Sequence, residues 1–270
     1  MLHNYKQPYL ITICSGKGGV GKSVLTANVA YQLANTNKNI NENNTIENNK
    51  VLIENNKVLV IDADLMFPNQ HLIFGVDPNL RLDDWLFERA TIDRVIYEIN
   101  PNLAIIAGAV GNIELDLQNN ISFVDLYHSI LQNTDFDFII IDANAGISNH
   151  LLECATISDK IGIVITDEPT SIIDAYALIK VLREYADNRK MNLILSNIID
   201  DDDADEIIQK INNATQHFLN MSIDMLGIVY YDTNIKKSII SQELLSISQP
   251  EIAPVSSFKK IANTLIEMNK

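Results

Sequence analysis

Short apolar runs alternate with amphipathic stretches along most of this chain. The runs at 10–14, 58–62, 103–106, 138–142, 161–166, 193–197 and 226–230 are four to six residues long, rich in Ile, Val and Leu, and bounded by polar or turn-forming residues. Continuous runs of this kind suit strands buried on both faces of a parallel sheet. Between them, apolar positions recur at helical spacing through 22–35, 122–133, 147–156, 170–187, 204–219 and 255–268. The alternation predicts an α/β fold, a doubly wound, mostly parallel sheet with helices on both faces. No shift of composition and no Pro/Gly-rich linker divides 1–270, so a single domain is expected.

One stretch interrupts the pattern. Residues 35–57 hold ten asparagines and most of a tandem repeat, I-E-N-N-K-V-L at 46–52 and again at 53–59. Only the second copy leads into a predicted strand. A polar, low-complexity segment buries too little apolar area to offset its ordering entropy, so a mobile surface insertion is expected at about 35–57.

The first strand runs into a glycine-rich string at 15–23, S-G-K-G-G-V-G-K-S, which opens the first helix. Strand, glycine turn and helix in that order are the setting in which G-x-x-x-x-G-K-[ST] holds phosphates. Backbone N–H groups along Gly16, Gly18, Gly19, Val20 and Gly21 converge on phosphate oxygens, and the helix N-terminus adds its positive dipole end. Lys22 reaches the β- and γ-phosphates, and the Ser23 hydroxyl ligates Mg2+. ATP and Mg2+ are the expected ligands.

Three more candidate groups stand at the ends of predicted strands, where an open α/β sheet binds ligands. Asp62-Ala63-Asp64 begins a switch-like segment in which Asp64 orients the attacking water and Asn69 bonds nearby. Four apolar residues ending in Asp142 form a Walker B strand, with Asp142 holding Mg2+ through water and Gly146 near the γ-phosphate. Asn197, ending the run at 193–197, offers an amide donor and acceptor to an adenine edge.

The extra lysine in K-G-G-V-G-K-S, Lys17, resembles the deviant Walker A loop of the MinD/ParA superfamily of ATPases. Two further strings, D-A-N-A-G-I-S at 142–148 and E-P-T-S-I-I-D-A-Y-A-L-I-K at 168–180, resemble the FlhG/FleN (YlxH) branch, which governs flagellar number and placement. The likeness covers about 10–269, apart from the Asn-rich stretch. It implies a MinD-like P-loop fold and an ATP-dependent homodimer, with Asp174 in the dimer contact. Lys17 then crosses to the partner's nucleotide, as an arginine finger does, and Asp64 and Asp142 take the switch I and switch II positions. The implied catalytic set is Lys17, Lys22 and Asp64. The implied partners are the SRP-type GTPase FlhF, a flagellar switch component or a flagellar regulator. The setting is the cytoplasm, with peripheral contact at the inner face of the cell membrane as a further expectation.

The chain departs from that pattern in three places. Asn144 replaces a glycine or proline of relatives. About nine residues precede the first predicted strand, too few for the segment with which some relatives stimulate FlhF. The chain also ends with its last structural helix, where many relatives continue into a membrane-binding one. In that helix Phe258, Ile261, Leu265 and Met268 form a stripe that packs on the core or, alternatively, lies in a lipid interface.

Composition narrows the rivals. A net charge of −15 opposes non-specific DNA binding, which relies on Lys and Arg at phosphates. No run approaches the about 18 apolar residues of a membrane span, and the first residues lack a secretory pattern. Cys14 and Cys154 sit apart in apolar surroundings and form no C-x-x-C pair, which predicts reduced, buried thiols and argues against an iron–sulfur carrier. The five histidines lack metal-ligand spacing. The acidic run 200–203 reads as a helix start. Two rivals remain: a septum- or DNA-positioning ATPase of the same superfamily, and a non-hydrolysing nucleotide-binding adaptor or transcription-regulator antagonist.

Overall fold

A computed structural model of the chain describes residues 7–37, 46–47, 50–51, 54–109 and 122–270. Its centre is an eight-stranded sheet: β1 (Tyr9–Ser15), β2 (Val58–Ala63), β3 (Tyr97–Asn100), β4 (Leu103–Ile106), β5 (Phe138–Ala145), β6 (Lys160–Ile165), β7 (Met191–Ile198) and β8 (Asp224–Tyr230). Across the sheet the order is β8-β7-β6-β1-β5-β2-β4-β3. Every neighbouring pair is parallel except β3 with β4. The chain leaves β1 towards β2 on one side and later adds β6 on the other, so a crevice opens at the carboxyl ends of β1 and β5.

The helices are α1 (Lys22–Ala34), α2 (Gln70–Phe74), α3 (Leu82–Leu86), α4 (Ile92–Val95), α5 (Phe123–Asn133), α6 (Asn149–Ile157), α7 (Pro169–Leu182), α8 (Asp201–Leu219), α9 (Thr233–Ser241), α10 (Leu245–Ser248) and α11 (Ala253–Met268). The strand period of two sorts the core into layers. Ile11, Ile13, Val58, Val60 and Ile140 pack with α1 and α11 on one face. Cys14, Ile161, Ile163 and Leu193 face α6, α7 and α8, while Leu59, Ile61 and Ile139 face α3, α4 and α5 on the same opposite side. Burial on both faces explains the continuous apolar runs.

All seven predicted strands and all six predicted helices are present, with ends shifted by a few residues. The eighth strand, β3, was not expected: its Y-E-I-N sequence is exposed or half-buried at the sheet edge and carries no apolar run. Helices α2, α3, α4 and α10 are four or five residues long, too short to show helical periodicity.

The acidic run begins α8 as expected. Asp200 accepts from the Asp203 N–H at 3.0 Å, and Asp201, Asp202 and Asp203 occupy the first turn, where the dipole favours negative charge. In the Asn-rich stretch, Ile46–Glu47 pairs antiparallel with Lys50–Val51, and the Asn56 amide donates to the Leu33 and Thr36 carbonyls at 3.2 and 3.0 Å. The expectation of mobility falls mostly on 38–45, 48–49 and 52–53, which lie outside the described residues.

The stripe on α11 packs inward. Phe258, Ile261 and Leu265 are at most 1% exposed, whereas Met268 is 38% exposed. Gly227 on β8 makes this possible: a Cβ there would lie 2.4 Å from Ile261 Cγ1. The apolar stripe is therefore spent on the core rather than offered to lipid. No helix among the described residues is long and apolar enough to cross a membrane.

Ile261→Ala should lower unfolding free energy by about 2–5 kcal/mol, as buried large-to-small changes do. Met268→Ala should stay within about 0.5 kcal/mol of the parent. Urea unfolding checks both, and an equal effect of the two would contradict the packed orientation.

Candidate functional site

Three parallel strands bring their carboxyl ends together. β1 ends at Ser15, β5 carries Asp142, and β2 carries Asp62 directly opposite Asp142 in the register of the sheet. After Ser15 the chain turns through 16–21 into α1. Gly19 and Gly21 adopt φ of 79° and 88°, left-handed values that cost a side-chain-bearing residue most. Gly16 meets a different demand, since a Cβ there would lie 2.4 Å from the backbone carbonyl of Asp174 on α7. The Ser15 hydroxyl donates to the Lys17 carbonyl at 2.8 Å, and the Gly146 N–H donates to the Ser15 carbonyl at 2.9 Å. The loop is thus pinned to β5 on one side and α7 on the other.

A hollow of about 340 Å³ opens over the loop. Gly18, Gly19, Val20, Gly21, Lys22 and Ser23 form its floor, Asp64 and Asn69 one wall, and Leu72, Ile73 and Ile239 an apolar side. A second hollow of about 290 Å³, beside Lys57 and Asp135, lies at the opposite end of the sheet and has no glycine loop.

Beneath the first hollow is a buried polar cluster. Lys22 Nζ donates to Asp142 Oδ1 at 3.0 Å; Lys22 is 7% exposed and Asp142 not at all. The Thr26 hydroxyl shares its proton between the Lys22 carbonyl at 3.0 Å and the same Asp142 oxygen at 3.4 Å, and the Gln70 side-chain amide donates to Asp142 Oδ2 at 2.8 Å. Asp62 accepts from the backbone N–H groups of Asn69, Gln70 and Asp64 at 2.8, 2.9 and 3.3 Å. Burial, helped by the Asp142 charge, pushes the Asp62 carboxyl up to about 7, against the pull of those three N–H groups. Asp62 therefore ties down both ends of the segment that carries Asp64.

Asp64 sits half-buried on the hollow's wall, where its Oδ1 accepts from the N–H groups of Met66 and Phe67 at 3.2 and 2.9 Å. Asn69 donates its own N–H to Asp62, while its side-chain Oδ1 is buried without a protein donor. Asn197 stands elsewhere: it is exposed, with φ of 64°, and does not line the hollow. The preceding Ser196 is the closer neighbour, its hydroxyl oxygen 3.0 Å from where a Gly21 Cβ would be.

Lys17 is bound within its own chain. Its ammonium pairs with Glu168 and donates to the Thr170 hydroxyl at 3.2 Å, both at the amino end of α7. The hydrogen bond from Lys17 holds the Glu168 carboxyl below its ordinary range. Asp174, expected with Lys17 in a contact between two chains, lies on α7 itself, and within the single chain Lys17 pairs with Glu168.

Asp62 and Gln70 are the functional positions to which sequence reading gave no role. Asp62 was visible as a strand-end carboxylate. Gln70 gave no signal, because its contacts lie 47 and 72 residues away in the chain.

The donors available suit a nucleotide with a hard cation. Hydroxyl and carboxylate oxygens of Ser23 and Asp142 match Mg2+. Among the described residues no group of three or more His, Cys, Asp or Glu converges on a metal position.

Comparison with known proteins agrees. A family model described as ParA, an NUBPL-type iron-transfer P-loop NTPase, matches residues 7–41. The antiactivator FleN of Pseudomonas aeruginosa is 25% identical over 94% of this chain and 84% of its own length. The flagellum site-determining protein YlxH of Helicobacter pylori is 28% identical over 95% and 81%. The septum site-determining protein MinD of Pyrococcus horikoshii, solved as a complex with Mg-ADP, superposes with a TM-score of 0.71 at 24% identity, covering 94% of each chain.

Gly16→Ala should force the loop off α7 and cost about 1–3 kcal/mol of stability, as overpacking does. An unchanged urea midpoint would contradict the close approach to Asp174.

Proposed function

We propose that the chain, whose matches lie among P-loop ATPases of the MinD/ParA type, is an ATP-driven dimerising switch regulating flagellar number, placement or assembly. One observation carries the switch reading: a glycine loop with two lysines, Lys22 closed on buried Asp142 and Lys17 held at the surface of α7. The flagellar assignment is supported by FleN and YlxH, which match nearly the whole chain, and by the strings at 142–148 and 168–180.

In this reading the loop N–H groups and Lys22 hold the phosphates of ATP, Lys22 exchanging the Asp142 carboxylate for phosphate oxygen. Ser23 and, through water, Asp142 would hold Mg2+, which would supply positive charge to the phosphates. Asp64, already on the wall of the hollow, orients the water that attacks the γ-phosphate, and Gly146, bonded to Ser15 beside the loop, lies near that phosphate. Asn69 supports the wall, and Asn197, outside the hollow but next to Ser196 beside Gly21, reads the edge of an adenine that extends past it. Two such chains face each other. Lys17 leaves Glu168 and Thr170 and stabilises charge on the opposite nucleotide, with Asp174 lining the contact. Hydrolysis then separates the pair and resets partner binding.

The partners that fit are FlhF, a flagellar switch component or a flagellar regulator. The antiactivator designation of FleN favours the regulator. The protein acts in the cytoplasm, and its buried α11 stripe leaves that helix no apolar face for lipid.

Light scattering and phosphate release on the parent, Lys17→Ala and Asp64→Ala test this reading. With ATP and Mg2+ the parent should dimerise and turn over, and Lys17→Ala should bind ATP yet stay monomeric. Asp64→Ala should accumulate as dimer, with turnover slowed about 10²–10⁴-fold by loss of the water-orienting group. Capture of that dimer from its own cells should recover a flagellar protein. Parent-like turnover by Asp64→Ala would sink its role, and recovery of a centromere-binding protein would sink the flagellar assignment.

A further inference from the structure

Gln70 opens α2 and is wholly buried. It spans both buried carboxylates at once. Its backbone N–H donates to Asp62 Oδ2 at 2.9 Å, and its side-chain amide donates to Asp142 Oδ2 at 2.8 Å. The same amide nitrogen donates to the Ser23 carbonyl at 3.0 Å. Two acceptors around one nitrogen fix which way the amide faces. The other end, Oε1, is then a buried acceptor without a protein donor.

The placement has a consequence for Asp142. Its Oδ1 is shared by Lys22 and Thr26, so Oδ2 depends on Gln70. Once Lys22 turns to phosphate, Gln70 becomes the main donor that keeps this carboxylate in place. It also holds the backbone of Ser23, the other residue assigned to the cation. An apolar side chain of similar size would fill the space but leave both acceptors unpaired.

We propose that Gln70 is a positioning residue for the cation: its side-chain amide aims Asp142 and Ser23 together. The proposal rests on the nucleotide-and-Mg2+ reading above. Groups that orient metal-binding carboxylates typically change metal affinity by about 10–100-fold.

The test titrates fluorescent ADP against the parent, Gln70→Met and Gln70→Asn, once with Mg2+ and once in EDTA, with a melting curve for each protein. Gln70→Asn keeps an amide but is one methylene short of Asp142, and it serves if Gln70→Met does not fold. The expected result is an unchanged Kd in EDTA and a Mg2+-dependent gain in affinity reduced about 10-fold or more. Mn2+ binding to the ADP-loaded protein, read by electron paramagnetic resonance, should weaken by the same factor. Equal losses with and without Mg2+ would show that Gln70 merely shapes the pocket and would overturn the proposal, as would no change in either. A parent chain that binds no ADP in both conditions would overturn the nucleotide reading along with it.

Discussion

The buried pair of Lys22 and Asp142 is the constraint around which the rest of the molecule is arranged. Parallel strands place Asp62 and Asp142 side by side at the carboxyl ends of two neighbouring inner strands, both without solvent exposure. Two adjacent carboxylates in such a place are expensive unless every oxygen finds a donor. Lys22, the one buried lysine or arginine among the described residues, supplies the cation. Thr26 and Gln70 complete the donors to Asp142, and three backbone N–H groups serve Asp62. The glycine loop, the start of α1 and the segment before α2 are therefore fixed by the same few charges.

The two lysines of the loop sit in opposite electrostatic regimes, and this decides how each can move. Breaking a buried pair by removing one partner typically costs about 3–5 kcal/mol, because the other charge is stranded. Lys22 therefore leaves Asp142 only for another anion in reach, which a phosphate over the hollow provides in the proposed reading. Lys17 pairs with Glu168 in water, where such contacts are screened and easily exchanged. A loop with one deeply anchored and one loosely held cation can bind nucleotide first and recruit a second chain afterwards.

Much of this was legible in the sequence because it depends on local or periodic signals. Strands buried on both faces leave apolar runs, and the glycine loop is a contiguous string with positive φ at Gly19 and Gly21. What was illegible depends on distant contacts. β3 is an exposed edge whose identity comes from pairing with β4. The direction of the α11 stripe is decided by a gap at Gly227, thirty-four positions from Ile261. Gln70 and Asp62 matter because the fold sets them against Asp142, which no local pattern announces. The pairing of Lys17 with Glu168 is likewise a contact between distant parts of the chain, 151 residues apart.

In the proposed function Lys22 is the cation exchanged between Asp142 and a nucleotide's phosphates. Equilibrium titration of labelled ATP against the parent and Lys22→Ala, with the folded state of each checked by circular dichroism, tests it most directly. Saturable binding by the parent and loss of that binding in a folded Lys22→Ala chain are expected. Equal affinity of the two folded proteins for ATP would contradict that role for Lys22.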